Sequence, residues 1–136
     1  MNLARSILSV LLFACALSAC SPDVAVGEAD YAAKIVGGWQ GTVGDDAEMI
    51  TFGADGKFVS EVRPRGFISN TLGQGVTGTI RGTWSIKGKI VALNVSSAQD
   101  ERLSNRETTS TIESFKTNEI VVKSSVGETS TFRRLL

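Results

Sequence analysis

The sequence contains no histidine. Histidine is the side chain that most often acts as a general base near neutral pH and most often ligates transition metals. A histidine-dependent nucleophilic triad is therefore excluded, as is a zinc site built from cysteine and histidine. Cysteine is nearly as scarce. The only two, Cys15 and Cys20, both lie in the N-terminal apolar region. Beyond residue 20 there is no thiol and no disulfide, so stability must come from an apolar core. Nor does charge of one sign predominate: 14 Lys and Arg balance 14 Asp and Glu, and the basic residues form no cluster longer than Arg133-Arg134. Such a surface has no field that would gather nucleic acid or anionic lipid, and no nucleic-acid partner is expected. A long hydrophobic run is missing too. The stretch from Ile7 to Leu17 reaches about 16 Å as a helix, well short of the ~30 Å hydrocarbon core of a bilayer.

What is present begins with that short run. Arg5 and the amino terminus supply a positive start, Ile7 to Leu17 an apolar middle, and Leu17-Ser18-Ala19 small residues suited to a signal peptidase. Residues 1–19 therefore read as a cleaved export signal. The tetrad Leu17-Ser18-Ala19-Cys20 resembles the lipobox of bacterial lipoproteins. That resemblance implies a diacylglyceryl group on the Cys20 thiol, cleavage just before it, and acylation of the new amino group. It also places the protein in a bacterial envelope. Ser21 follows Cys20 where an aspartate often marks inner-membrane retention, so the resemblance implies the outer membrane, periplasmic face. Two or more acyl chains hold a protein on a membrane stably, whereas one does so only marginally. Cleavage removes Arg5 and leaves residues 20–136, with 13 basic and 14 acidic side chains, or a formal charge of −1. That length suits one domain.

Residues 20–34 read as a lipidated tether, with Ser21 to Glu28 small and mixed, followed by a short helix from Ala29 that Gly37-Gly38 terminates. The domain proper is expected over 35–136. From Trp39 onward, β-branched and aromatic residues come in short bursts between turn residues. Gly53-Ala54-Asp55-Gly56 sits between alternating segments and reads as a hairpin turn, as does Lys87-Gly88-Lys89. Lys116-Thr117-Asn118 and Ser124 to Glu128 mark two more. About eight strands of five to eight residues result, the spacing of an antiparallel barrel or sandwich. Alternation assigns Ile50, Phe52, Phe58, Val62, Ile80, Trp84, Ile86, Val91, Leu93, Val95, Ile120 and Val122 to one face. Threonines are expected to dominate the outward positions of the sixth and eighth strands.

One stretch breaks the pattern. Arg63 to Thr77 carries Pro64 and three glycines, yet includes Phe67, Ile68 and Leu72. It reads either as a binding loop built around those three apolar side chains or as an irregular edge strand folded onto the core. Other motifs fail on their chemistry. Asp45-Asp46 with Glu48 lacks the spacing of a calcium loop and reads as a solvated turn. The Gly53-to-Lys57 run leads into a strand, whereas a phosphate loop leads into a helix. No metal site, cofactor or catalytic residue is expected.

Gly37-Gly38-Trp39, the hairpin from Ile50 to Phe58, the segment Gly82 to Leu93 and the closing strands from Thr111 together resemble small bacterial lipocalin-like lipoproteins over Ile35 to Leu135. The resemblance implies an all-β fold: a small antiparallel barrel of about eight strands preceded by a short helix. It also implies that Trp39 lies at the closed end beneath Arg134, a structural pair that seals the barrel. The expected role is that of a membrane-anchored, non-enzymatic binding or scaffold module. Its partners would be the membrane, through acyl chains on Cys20, and a small apolar ligand or an envelope protein. Periplasmic protease inhibition, with Ser21 to Glu28 as an inhibitory trunk, is the alternative. Phe52, Phe58, Trp84, Phe115 and Phe132 are numerous enough to fill such a barrel, so its interior is expected either filled or hollow.

Overall fold

The computed structural model describes residues 22–44, 46–64, 78–99 and 101–136. An extended segment leads into a 3₁₀ turn at Glu28–Asp30 and a one-turn helix, α1 (Tyr31–Lys34). Gly37 then takes a φ of 121°, a conformation that L side chains rarely adopt, and the chain turns into the first strand. Eight strands follow: β1 (Gly37–Val43), β2 (Asp46–Phe52), β3 (Lys57–Pro64), β4 (Gly78–Lys87), β5 (Ile90–Ala98), β6 (Arg106–Lys116), β7 (Glu119–Ser124) and β8 (Thr129–Arg134). Each pairs antiparallel with the next. The pairs Trp39 with Arg134, Gln40 with Arg133 and Gly41 with Phe132 join β1 to β8 and close the barrel. This is the all-β, eight-stranded antiparallel barrel with a short leading helix that the sequence predicts, and it is consistent with a lipocalin-like fold.

The hairpin signals lie where the turns are. At residues 53–56 the Gly53 amide bonds the Lys57 carbonyl at 2.8 Å, and the Lys57 amide donates to Asp55 Oδ1 at 3.0 Å. Trp84 clasps the same turn: its Nε1 donates to the Gly53 carbonyl at 2.9 Å, while its ring meets Phe52 edge-on at 5.5 Å. Strands β4, β5 and β6 run to 10, 9 and 11 residues, longer than alternation predicts. The register shifts at Arg81/Gly82 and at Ile112/Ser114 explain part of this, because a bulge bends a strand and lets pairing continue around a curved wall. Gly82 also permits close packing. A Cβ there would fall 2.9 Å from Phe58 Cε1 and collide with the Asn94 carbonyl oxygen.

The second bulge changes which residues of β6 face inward. Ile112 and Phe115 are both buried although an odd number of positions separates them. Counting back from Ile112 places Ser110 and Thr108 on the inner face, and both line the interior. Thr108 is therefore an exception to the threonines that occupy outward positions of β6.

The two ends of the barrel differ. At the base, α1 and the turns after β2, β4 and β6 come together. Tyr31, Ile35, Trp39, Ile112, Phe115 and Ile120 form a dense buried cluster there. At the opposite end lie the end of β1, the start of β6 and the end of β7. The residues expected to act as a tether are partly fixed to the base. Val26 donates its amide to the Phe115 carbonyl at 2.9 Å, Thr117 donates to the Val24 carbonyl at 2.8 Å, and Asn118 donates to Asp23 Oδ1 at 2.9 Å.

Candidate functional site

The barrel is hollow above its base. A cavity of about 390 Å³ runs up the axis from Trp39 and Ile35 to exposed residues at the far end, Val43, Arg106 and Ser125. Alternation along the strands creates it. Inward positions near the base carry aromatic rings and isoleucines, and those higher up carry smaller groups: Ser60 on β3, Ser110 on β6, Ser124 on β7 and Ser130 on β8. The β4 and β5 wall stays apolar through Ile80, Val91, Leu93 and Val95. Of the two interiors the sequence allows, the structure has the hollow one. Its volume falls in the range of small-molecule sites, about 300–1,000 Å³, and its mostly apolar lining with a few polar groups is the usual composition.

One of those polar groups is Glu48, on β2. Two steps back from Ile50 and four from Phe52, it faces inward with them and borders the cavity. It accepts a hydrogen bond from Ser60 Oγ at 2.6 Å. Burial pushes its carboxyl above the ordinary glutamate value of 4.5, and the bond from Ser60 offsets only part of that rise. The reading of Glu48 as part of a solvated turn is thus corrected: Asp46–Phe52 is strand, and the side chain belongs to the interior. The alternation of Ile50 and Phe52, extended by one step, carried that signal. Among the described residues no three carboxylate or cysteine groups gather as a metal cage would require.

A raised carboxyl pKa in the folded state has a defined sign for stability. The ionised form is disfavoured by folding, so Glu48 costs stability above its folded pKa. That cost fades as pH falls through the folded pKa toward the unfolded value. Glu48→Gln keeps an acceptor for Ser60 and removes the charge. It is expected to raise the melting temperature at about pH 7, on the order of a few degrees, with the difference closing by about pH 4. Paired thermal melts at the two pH values check this. A variant less stable than wild type at neutral pH would contradict the placement.

Trp39 and Arg134 meet at the base. They are cross-strand partners, and the Arg134 guanidinium carbon lies 4.2 Å from the indole centroid. The indole is fully buried, with its Nε1 donating to the Ile35 carbonyl at 2.7 Å and its ring edge-on to Phe115 at 5.9 Å. Arg134 reaches three backbone carbonyls: Thr117 through Nε at 3.0 Å, Val36 through Nη1 at 3.0 Å, and Lys34 through Nη2. Partial burial lowers its pKa, but a guanidinium remains charged at any ordinary pH. Gly37 makes room for it, since a Cβ there would stand 2.9 Å from Nη1. The pair closes the bottom of the cavity, with Trp39 forming part of its floor. Cys20, Phe67, Ile68 and Leu72 lie outside the described residues.

Fold and site together define the class: a closed eight-stranded antiparallel barrel, sealed at one end by a helix and a cation–π pair, with an apolar chamber leading toward the other. The chain matches no protein-family model and no curated protein sequence.

Proposed function

We propose that this protein is a non-enzymatic carrier or sensor of a small, largely apolar molecule, held at a bacterial membrane through Cys20. The cavity carries the first half of this reading. A protein that acted only as a scaffold has no need of an apolar chamber of about 390 Å³, whereas a carrier must have one. The second half rests on the lipobox-like tetrad ending at Cys20. Protease inhibition has less to support it, because residues 23–26 of the would-be trunk are hydrogen-bonded to the end of β6 and the turn after it rather than projecting.

One preparation tests both halves. Protein extracted from bacterial membranes is expected to show acyl mass on its N-terminal cysteine. It is also expected to bind an environment-sensitive apolar dye with a stoichiometry near one. Leu93→Trp, which fills the chamber from the apolar wall, is expected to weaken dye binding about tenfold or more while the barrel's circular dichroism persists. An unacylated product removes the anchor; a dye that binds wild type and variant alike removes the carrier.

A further inference from the structure

The cavity is not uniformly apolar, and its polar groups are unevenly placed. In a closed barrel ordered β1 to β8, strands β2 and β3 stand across the lumen from β6 and β7. Glu48 and Ser60 occupy the first wall, Ser110 and Ser124 the second, and the apolar side chains of β4 and β5 lie between them. Among the described residues, two that line the cavity carry a charge, Glu48 and Arg106. Arg106 stands at the rim and is exposed, so water screens it. Glu48 is half-buried and its partner is a neutral hydroxyl. A carboxylate offers about four acceptor sites, and Ser60 fills one. An anion held this way in an apolar chamber is disfavoured unless a donor or a cation completes its shell.

We propose that the cavity's ligand is a small amphipathic amine, whose ammonium group pairs with Glu48 beside Ser60 while its apolar body extends down toward Phe52, Phe58 and Trp39. This deepens the carrier reading and rests on it. The position of Glu48 sets the size. From Glu48 to Phe52 is four steps of strand, about 13 Å, and strand tilt makes the vertical depth smaller. A short chain or a single ring system fits that depth, and a long fatty chain does not. The sign of the charge that lines the cavity selects the head group. An ammonium gains a charge-assisted hydrogen bond, an alcohol gains an ordinary one, and a fatty carboxylate meets a like charge.

Octylamine, octanol and octanoic acid share one apolar chain and differ only in the head group, so they test the assignment on the full-length protein by calorimetry at about pH 7. The amine is expected to bind at least tenfold more tightly than the acid, with the alcohol between them. Glu48→Gln is expected to bring the amine to the level of the alcohol. Equal affinity of wild type for all three overturns the proposal, as does a preference for the acid or an amine preference that survives Glu48→Gln. In each of those cases an apolar dye that still binds leaves the carrier reading standing. If neither the three probes nor the dye bind, the carrier reading itself has failed and the amine proposal with it.

Discussion

Trp39→Ala is expected to cost about 3–5 kcal/mol, the range for removing a large aromatic side chain from a packed core. The magnitude follows from where the indole sits. It is 0 % exposed, its ring edge packs on Phe115, its face lies under Arg134, and its Nε1 holds the Ile35 carbonyl. Deleting it opens a void at the base, removes the surface that the guanidinium rests on, and frees the helix that plugs the barrel. Trp39→Phe keeps a ring and loses the hydrogen bond, so a smaller loss of about 1–2 kcal/mol is expected. Trp84 is the internal control. It too donates to a backbone carbonyl, but it is only partly buried, and its alanine variant is expected to lose less than that of Trp39. Urea unfolding of the three variants checks the ranking. A Trp39→Ala protein within about 1 kcal/mol of wild type would mean that the base is not packed as described.

The second large effect is expected at Arg134. Its guanidinium gathers carbonyls from three separate places: Lys34 in α1, Val36 just after it, and Thr117 in the turn between β6 and β7. Arg134→Met retains much of the apolar stem over the indole and removes every donor. A loss of about 2–3 kcal/mol is expected, allowing for the solvent that already reaches the group. Arg134→Lys is the sharper test. Lysine keeps the charge and much of the contact with the ring, but a single ammonium cannot reproduce a planar fork directed at carbonyls on different segments. Lysine is therefore expected to recover less than half of the loss. Full recovery would show that charge over the ring, rather than the tying together of three backbone segments, is what the residue contributes.

The parts of this architecture that were legible in the sequence are those written in strong contrasts. The turn at residues 53–56 stands out because Gly and Asp interrupt alternating apolar residues. Trp39 and Arg134 stand out through the resemblance of Gly37-Gly38-Trp39 to lipocalin-like barrels, and the structure places them in contact. The cavity was harder to see. Whether aromatic residues fill a barrel depends on how they are distributed between its ends, and Trp39 and Phe115 are concentrated at the base. The upper lining was harder still. Alternation reveals a face only when the two faces differ in polarity, and β6 carries hydroxyl side chains on both. The bulge at Ile112/Ser114 then shifts the phase, which no periodicity in the sequence announces. Glu48 was hidden by its company: after Asp45-Asp46 it reads as one more surface acid, although its register with Ile50 already pointed inward.

The hydrogen bonds that fix Asp23, Val24 and Val26 to residues 115–118 would, on the proposed anchoring, also set the orientation of the molecule. Two residues lie between Cys20 and Asp23, and the three steps span at most about 10 Å, so a chain acylated at Cys20, as proposed, would stand on its helix-sealed pole with little slack. The bilayer would then act as a floor and not as a reservoir: cargo would arrive from the aqueous compartment and leave into it, through an entrance held a full barrel-height above the lipid.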